Sequence, residues 1–226
     1  MWKEIIEEAD AFLFDLDGTV VDSMWVWHDI DVTYFKSRNL EMIDTYQKEI
    51  EGLSFYETAV YTHDHYIHDV SVEDLMKEWN EMAYEHYANI VKPKEGVMEF
   101  LSYLKDSGKK LGIATSNSRM LCEITLKNNG IFSLFDSIHT GEEATPGKPA
   151  PDVYLNCAAS LGADPSRCIV FEDLINGILA GKNAGMKTVA IHDDYSEDQW
   201  KEKCALADHS IMSYLEITDE ILNKKS

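Results

Sequence analysis

Residues 11–19 read AFLFDLDGT, and the junction inside this stretch decides the fold. Ala11 to Phe14 is an uninterrupted apolar run, the pattern of a strand covered on both faces, and it gives way at once to carboxylates at Asp15 and Asp17. A buried strand whose last residues leave the sheet as acids is predicted. Similar runs recur at Lys110 to Thr115 (KLGIAT), Cys168 to Phe171 (CIVF) and Lys187 to Ile191 (KTVAI), with Ser137 to Thr140 (SIHT) a weaker case. Helical stretches lie between them: Gly96 to Ser107 closes at Gly108, Ser118 to Asn129 at Gly130, and Pro151 to Leu161 at Gly162. A fourth helix gathers Gly177, Ala180, Gly181 and Ala184 on one small face that lets it approach a sheet closely. Strands alternating with helices predict an α/β fold, a Rossmann-like doubly wound parallel sheet.

Between Thr19 and Lys92 the texture changes. No strand-like run appears, the periodicity is helical, and aromatic residues are spread from Trp25 and Trp27 through Tyr34, Phe35, Tyr46, Phe55 and Tyr56 to Trp79 and Tyr84. The expected organisation is a core of residues 1–18 and 93–226 with an inserted α-helical domain of residues 19–92. Gly18 to Asp22 and Val91 to Gly96 are the natural hinges.

Composition narrows the class of function. At 226 residues, 45% apolar and 27% charged, the chain can bury a substantial core and is not a disordered or fibrous sequence. The formal charge of −21 argues against nucleic-acid or anionic-membrane partners, since a polyanion would be repelled over most of the surface. A small anionic ligand would need local donors, a cation, or both. Cys122, Cys157, Cys168 and Cys204 have no short metal-binding spacing and read as reduced thiols. Glu4, Glu7, Glu8 and Asp10 are expected to interrupt any early helix, and no apolar run reaches the roughly 20 residues of a membrane span. A cytoplasmic monomer is the expectation.

In an open parallel sheet, ligands bind beyond the carboxyl ends of the strands. Those ends carry Asp15 and Asp17, then Thr115, Ser116 and Asn117, then Glu172 and Asp173, while Lys148 stands in the proline-framed loop Gly147 to Asp152. Each type fits a part of phosphoryl transfer. A carboxylate can attack phosphorus, a hard cation can neutralise the phosphate oxygens, and a second carboxylate two residues on can move protons. Magnesium prefers oxygen ligands, which Asp15 and Asp173 can supply.

Together the segments DLDGT, ATSN, GKPAPD and VFED resemble, in order and spacing, the motifs of the haloacid dehalogenase-like hydrolases. The similarity spans the chain, with the helical insertion resembling the small cap of the sugar-phosphate phosphatase and β-phosphoglucomutase-like branch. The resemblance implies that Asp15 is the nucleophile and a Mg2+ ligand, and that Asp17 is the acid/base and lends its backbone carbonyl to the metal. It further implies phosphate binding by Thr115 with the amides of Ser116 and Asn117, charge balance from Lys148, and metal binding by Asp173 and Glu172. The segment Glu51-Gly52-Leu53-Ser54-Phe55 resembles the cap's substrate loop, and Trp27 falls where the mutase has a histidine. Where the mutase pattern flanks its Gly-x-Ser with basic residues, this chain has Glu51 and Phe55, which favours a phosphatase. Leu174 replaces a usual serine, and retained activity is expected.

Alternatives accompany these assignments. Thr115 and Ser116 also suit the cap of the following helix. Trp25, Trp27, Phe55 and Tyr56 suit a substrate pocket or the interior of the insertion equally. His63, Asp64, His65, His68 and Asp69 read as a solvated polar loop in preference to a metal site. The expected activity is Mg2+-dependent hydrolysis of a small phosphate ester, with a phosphosugar mutase and a non-catalytic phosphometabolite-binding regulator as the other readings.

Overall fold

A computed structural model describes residues 1–50, 53–144 and 146–222. Its main sheet has six strands: β1 (Ala11–Phe14), β4 (Lys110–Ala114), β5 (Ser137–His139), β6 (Cys168–Glu172), β7 (Lys187–Ile191) and β8 (His209–Ile211). Between the first two of these, β2 (Val21–Asp22) and β3 (Lys92–Pro93) pair as a separate antiparallel ribbon. The main sheet runs β5-β4-β1-β6-β7-β8, and every pairing within it is parallel. The strand order therefore reverses direction around β1, which makes its carboxyl end the topological switch point where open α/β sheets hold ligands.

Eleven α-helices are described: α1 (Trp2–Glu8), α2 (Met24–Ser37), α3 (Tyr46–Ile50), α4 (Phe55–His65), α5 (Val72–Asn89), α6 (Val97–Asp106), α7 (Arg119–Asn128), α8 (Asp152–Leu161), α9 (Ile175–Asn183), α10 (Trp200–Leu206) and α11 (Leu215–Ile221). The four residues of β1 are fully buried because the sheet is covered on both sides. Phe12 and Phe14 face a large aromatic cluster, Phe14 stacking on Phe171 at 5.0 Å and both meeting Phe100 edge-on. Ala11 and Leu13 face the opposite layer with Tyr154, Cys157 and Val170. Each large buried apolar side chain contributes roughly 1.5–3 kcal/mol, so this central strand anchors both layers.

Two expectations need correction. The amino-terminal acids do not interrupt a helix: α1 forms, burying Trp2, Ile5 and Ile6 while Glu4, Glu7 and Glu8 stay exposed, an i, i+3, i+4 stripe that tolerates acids on its other face. The two segments expected as hinges lie side by side, Val21 pairing with Pro93 and Asp22 with Lys92. The histidine segment is no loop at its start, because α4 continues through His65. The edge strand β8 was also not anticipated, its three residues being too short to show a period.

Helices α2 to α5 lie between β2 and β3 in sequence, and the longest of them, α5, packs on α7. Polar contacts run along that seam: Ser118 Oγ donates to Asn80 Oδ1 at 2.8 Å, Thr125 Oγ1 to the Tyr87 carbonyl at 2.9 Å, and Asn129 Nδ2 to the Val91 carbonyl at 3.1 Å.

Candidate active site

The register of the central strands assembles the site. Phe14 aligns with Ile113 on one side and Phe171 on the other, so Asp15, Thr115, Glu172 and Asp173 all emerge at one edge. Asp15 is held there by its N–H, which donates to the Phe171 carbonyl at 3.0 Å. Lys148 reaches across from its loop, its Nζ donating at 2.5 Å to both Asp15 Oδ1 and Glu172 Oε1. Tyr154 adds a hydroxyl to Glu172 Oε1 at 2.7 Å, and its ring lies 5.0 Å from the ammonium. Burial works to strip Lys148 of its proton, but the two carboxylates outweigh it and hold its pKa above the ordinary lysine range.

Asp173 turns the other way. Its Oδ1 accepts from Thr19 Oγ1 at 2.9 Å, while its Oδ2 is buried with no hydrogen-bond partner among the described residues. Its carbonyl accepts from Lys203 Nζ at 2.8 Å, a fully buried lysine that also donates to Ser196. Burial and the neighbouring Glu172 and Asp15 push the Asp173 carboxyl well up, and burial likewise raises Asp15 against the pull of Lys148.

Carboxylate oxygens of Asp15, Glu172 and Asp173 lie within 4.8 Å of one another. Three buried acids around one ammonium, with one oxygen unpaired, would cost several kcal/mol per uncompensated charge. A hard divalent cation relieves that imbalance through oxygen donors of the kind present, so the residues fit Mg2+.

Asp17 is held apart from this cluster. Ser23 Oγ donates to its Oδ1 at 2.6 Å, the Tyr87 hydroxyl donates to the same oxygen, and Asn117 Nδ2 donates to Oδ2 at 2.9 Å. Burial raises its pKa and these three donors oppose the rise. The carboxylate is thus aimed by three elements, one of them the distant end of α5.

The segment after β4 departs from expectation. The N–H of Asn117 is taken by Thr115 Oγ1 at 3.0 Å, because the chain turns tightly there. The helix cap is Ser118, whose side chain accepts from the Leu121 N–H at 3.4 Å, and neither Thr115 nor Ser116. Thr115, Ser116 and Asn117 all line the site cavity.

That cavity, about 400 Å³, extends from Asp15, Asp17 and Lys148 to side chains of the inserted helices. Trp27, Phe55 and Trp79 contribute aromatic walls, with Asp31, Gln47 and Thr58 between them. Trp25 instead packs on His86, and Tyr56 is exposed. Ser54 is the N-cap of α4 in a reciprocal pair with Glu57, and the Glu57 carboxylate also accepts from the Gly147 N–H at 3.1 Å. Glu51 and Gly52 lie outside the described residues. Leu174 lines the cavity, and its N–H donates to Glu172 Oε2 at 3.4 Å. Among the described residues no metal-competent group forms around His63, His65 and His68.

Sequence reasoning missed Ser23, Tyr87, Tyr154 and Glu57. Ser23 stands close to the first motif in the chain, but Tyr87 reaches Asp17 from 70 residues away and leaves no local signal.

Residues 12–191 match the family model of the haloacid dehalogenase-like hydrolases. Pyrophosphatase PpaX of Bacillus velezensis is 30% identical over 185 residues, covering 82% of this chain and 84% of that protein. Hexitol phosphatase B of Escherichia coli strain K12 is 28% identical over 226 residues, covering 92% and 94%. The crystal structure of CbbY from Rhodobacter sphaeroides in complex with phosphate shares the fold with a TM-score of 0.83 at 22% identity, over 92% of this chain and 96% of that one. The chain belongs to the haloacid dehalogenase-like hydrolase family, a family of enzymes. No helix among the described residues is long and apolar enough to cross a membrane.

Proposed function

We propose that this enzyme is a Mg2+-dependent phosphatase that hydrolyses a small phosphomonoester through an aspartyl-phosphate on Asp15. The observation that carries the reading is the division of labour between two acids two residues apart. Asp15 is paired with the Lys148 ammonium at the base of the cavity, whereas Asp17 is fixed by Ser23, Tyr87 and Asn117. In this reading residues 1–18 and 93–226 form the catalytic core, and residues 19–92 form a cap that opens for substrate and product.

Asp15, Asp173 and Glu172, with the carbonyl of Asp17, would hold Mg2+, which supplies charge neutralisation for the phosphate oxygens. The Asp15 carboxylate attacks phosphorus while Asp17 donates a proton to the departing ester oxygen, so one P–O bond forms, one breaks, and the alcohol leaves neutral. Asp17, now ionised, takes a proton from water as that water attacks phosphorus. The Asp15–phosphate bond breaks and inorganic phosphate is released. Lys148 balances the negative charge around Asp15 throughout, and Thr115 with the Ser116 amide binds phosphate oxygens.

PpaX and hexitol phosphatase B bear the names of phosphatases, which supports hydrolysis over phosphoryl transfer between sugars. The buried apolar Phe55 at the cavity wall supports it too, since a mutase must grip a second phosphate. The test is release of p-nitrophenol from p-nitrophenyl phosphate with Mg2+. Turnover that disappears in Asp15→Asn is expected; absence of turnover in the unmutated enzyme would sink the reading.

A further inference from the structure

On the cap side of the cavity one buried carboxyl has no ion-pair partner among the described residues. Asp31, on α2, is 5% exposed and still lines the cavity. Its hydrogen bond is from Gln47 Nε2 to Oδ2 at 2.7 Å, and no ion pair is made to it among the described residues. Lys148 is engaged with Asp15 and Glu172. Lys48 lines the same cavity but is exposed and makes no ion pair with Asp31.

Aromatic rings line the same cavity as this carboxyl group. Trp27 and Phe55 have centroids 5.7 Å apart, Phe55 and Trp79 6.0 Å, and all three line the cavity. The faces of such rings attract cations, and a desolvated carboxylate beside them does so more strongly. A neutral hydroxyl would donate one hydrogen bond to Asp31 but leave its charge uncompensated. An ammonium supplies both the donor and the opposite charge, removing the penalty of burying the carboxylate alone.

We propose that Asp31 recognises a protonated amine on the organic part of the substrate, so that the enzyme prefers aminoalkyl or amino-sugar phosphates to the matching neutral alcohol or sugar phosphates. The inference rests on the phosphatase reading above. It adds the substrate class that the cap selects: phosphate sits over Asp15, and the amine sits between Asp31 and the aromatic wall. The cavity volume accommodates a ligand of that size.

The experiment compares matched pairs, glucosamine 6-phosphate against glucose 6-phosphate and 2-aminoethyl phosphate against 2-hydroxyethyl phosphate, with p-nitrophenyl phosphate establishing turnover. A preference in kcat/KM for the amine on the order of tenfold or more is expected in at least one pair. In Asp31→Asn that ratio should fall toward one, through a higher KM for the amine substrate with less change in kcat. Equal kcat/KM within both pairs, or a preference surviving in Asp31→Asn, each overturns the proposal. Calorimetric titration of the same four compounds into the Asp15→Asn variant reads the preference as binding. Amine selectivity in that titration without turnover of p-nitrophenyl phosphate by the unmutated enzyme would reject the phosphatase reading and leave Asp31 as the selecting group.

Discussion

The backbone N–H of Phe55 donates to the carbonyl oxygen of Ser116 at 3.1 Å, joining the first turn of α4 to the loop that follows β4. The candidate substrate loop of the inserted helices therefore rests directly on the candidate phosphate loop. A second tie lies beside it, where the Glu57 carboxylate accepts from the N–H groups of both Ser54 and Gly147. Burial opposes ionisation of Glu57, but these hydrogen bonds prevail and hold its pKa below the usual carboxylate value.

Glu57→Ala removes that bridge together with half of the capping box of α4. The helix cap alone is worth about 1 kcal/mol, so a modest loss of stability is expected. The larger effect should be on catalysis, with KM rising and kcat falling together because the closed arrangement is populated less. Steady-state kinetics on p-nitrophenyl phosphate check this; unchanged KM and kcat would show that the bridge has no part in closure.

Gly18 has φ +72°, and a Cβ placed on it would lie 2.2 Å from Asp173 Oδ2. Alanine there adds roughly 1 kcal/mol of backbone strain and forces the Asp173 carboxylate from its place. A displacement of about an ångström at a reacting centre costs on the order of a hundredfold in rate, which is the loss expected in kcat/KM for Gly18→Ala. Circular dichroism separates this from unfolding, and a folded variant with full activity contradicts it.

Mg2+ should raise the melting temperature, because in the proposed mechanism it is held by the folded acids around Asp173 Oδ2 and has no matching site in the unfolded chain. At a hundred times its dissociation constant the gain is about 2.7 kcal/mol. Asp173→Asn removes the orphaned carboxylate oxygen and should abolish most of the Mg2+-induced increment while leaving the metal-free protein at least as stable. Thermal melts with Mg2+ and with EDTA read both effects, and an equal increment in the two proteins would remove Asp173 from the ligand set.

Asp31 makes stability depend on pH. Burial raises its pKa to about 7, only partly offset by the Gln47 hydrogen bond, whereas the unfolded value is about 3.9. Between these values the folded state holds the extra proton, so stability is lost as pH rises through the window and the cost is complete above pH 7. Tyr46 and Tyr195, whose hydroxyls feel this charge, stay protonated across the window. Asp31→Asn should therefore be more stable than the parent at pH 8, by up to about 4 kcal/mol, and close to it at pH 4. Denaturant titrations at the two pH values decide, and a difference independent of pH would show that Asp31 is not buried as a charge.

The core was legible because its signals are local. A four-residue apolar run ending in acids, repeated with helices between, specifies a parallel sheet, and a parallel sheet gathers its strand ends at one edge. The insertion was legible only as helical. Its aromatic residues had the same spacing whether they filled an interior or lined a cavity, and the structure divides them: Trp27 and Phe55 line it, Trp25 does not.

What the sequence determined by itself was the identity of the acids, hydroxyls and lysine at the strand ends, since backbone pairing carries those residues to one place whatever surrounds them. Tertiary structure alone decided what each one touches. Tyr87 approaches Asp17 across 70 residues, Lys148 joins Asp15 to Glu172, and Asp31 is buried in the wall of the cavity that Trp27 and Trp79 also line, with no ion pair among the described residues. These contacts depend on how helices pack against the sheet and against one another, and no period or motif within a single segment encodes that packing.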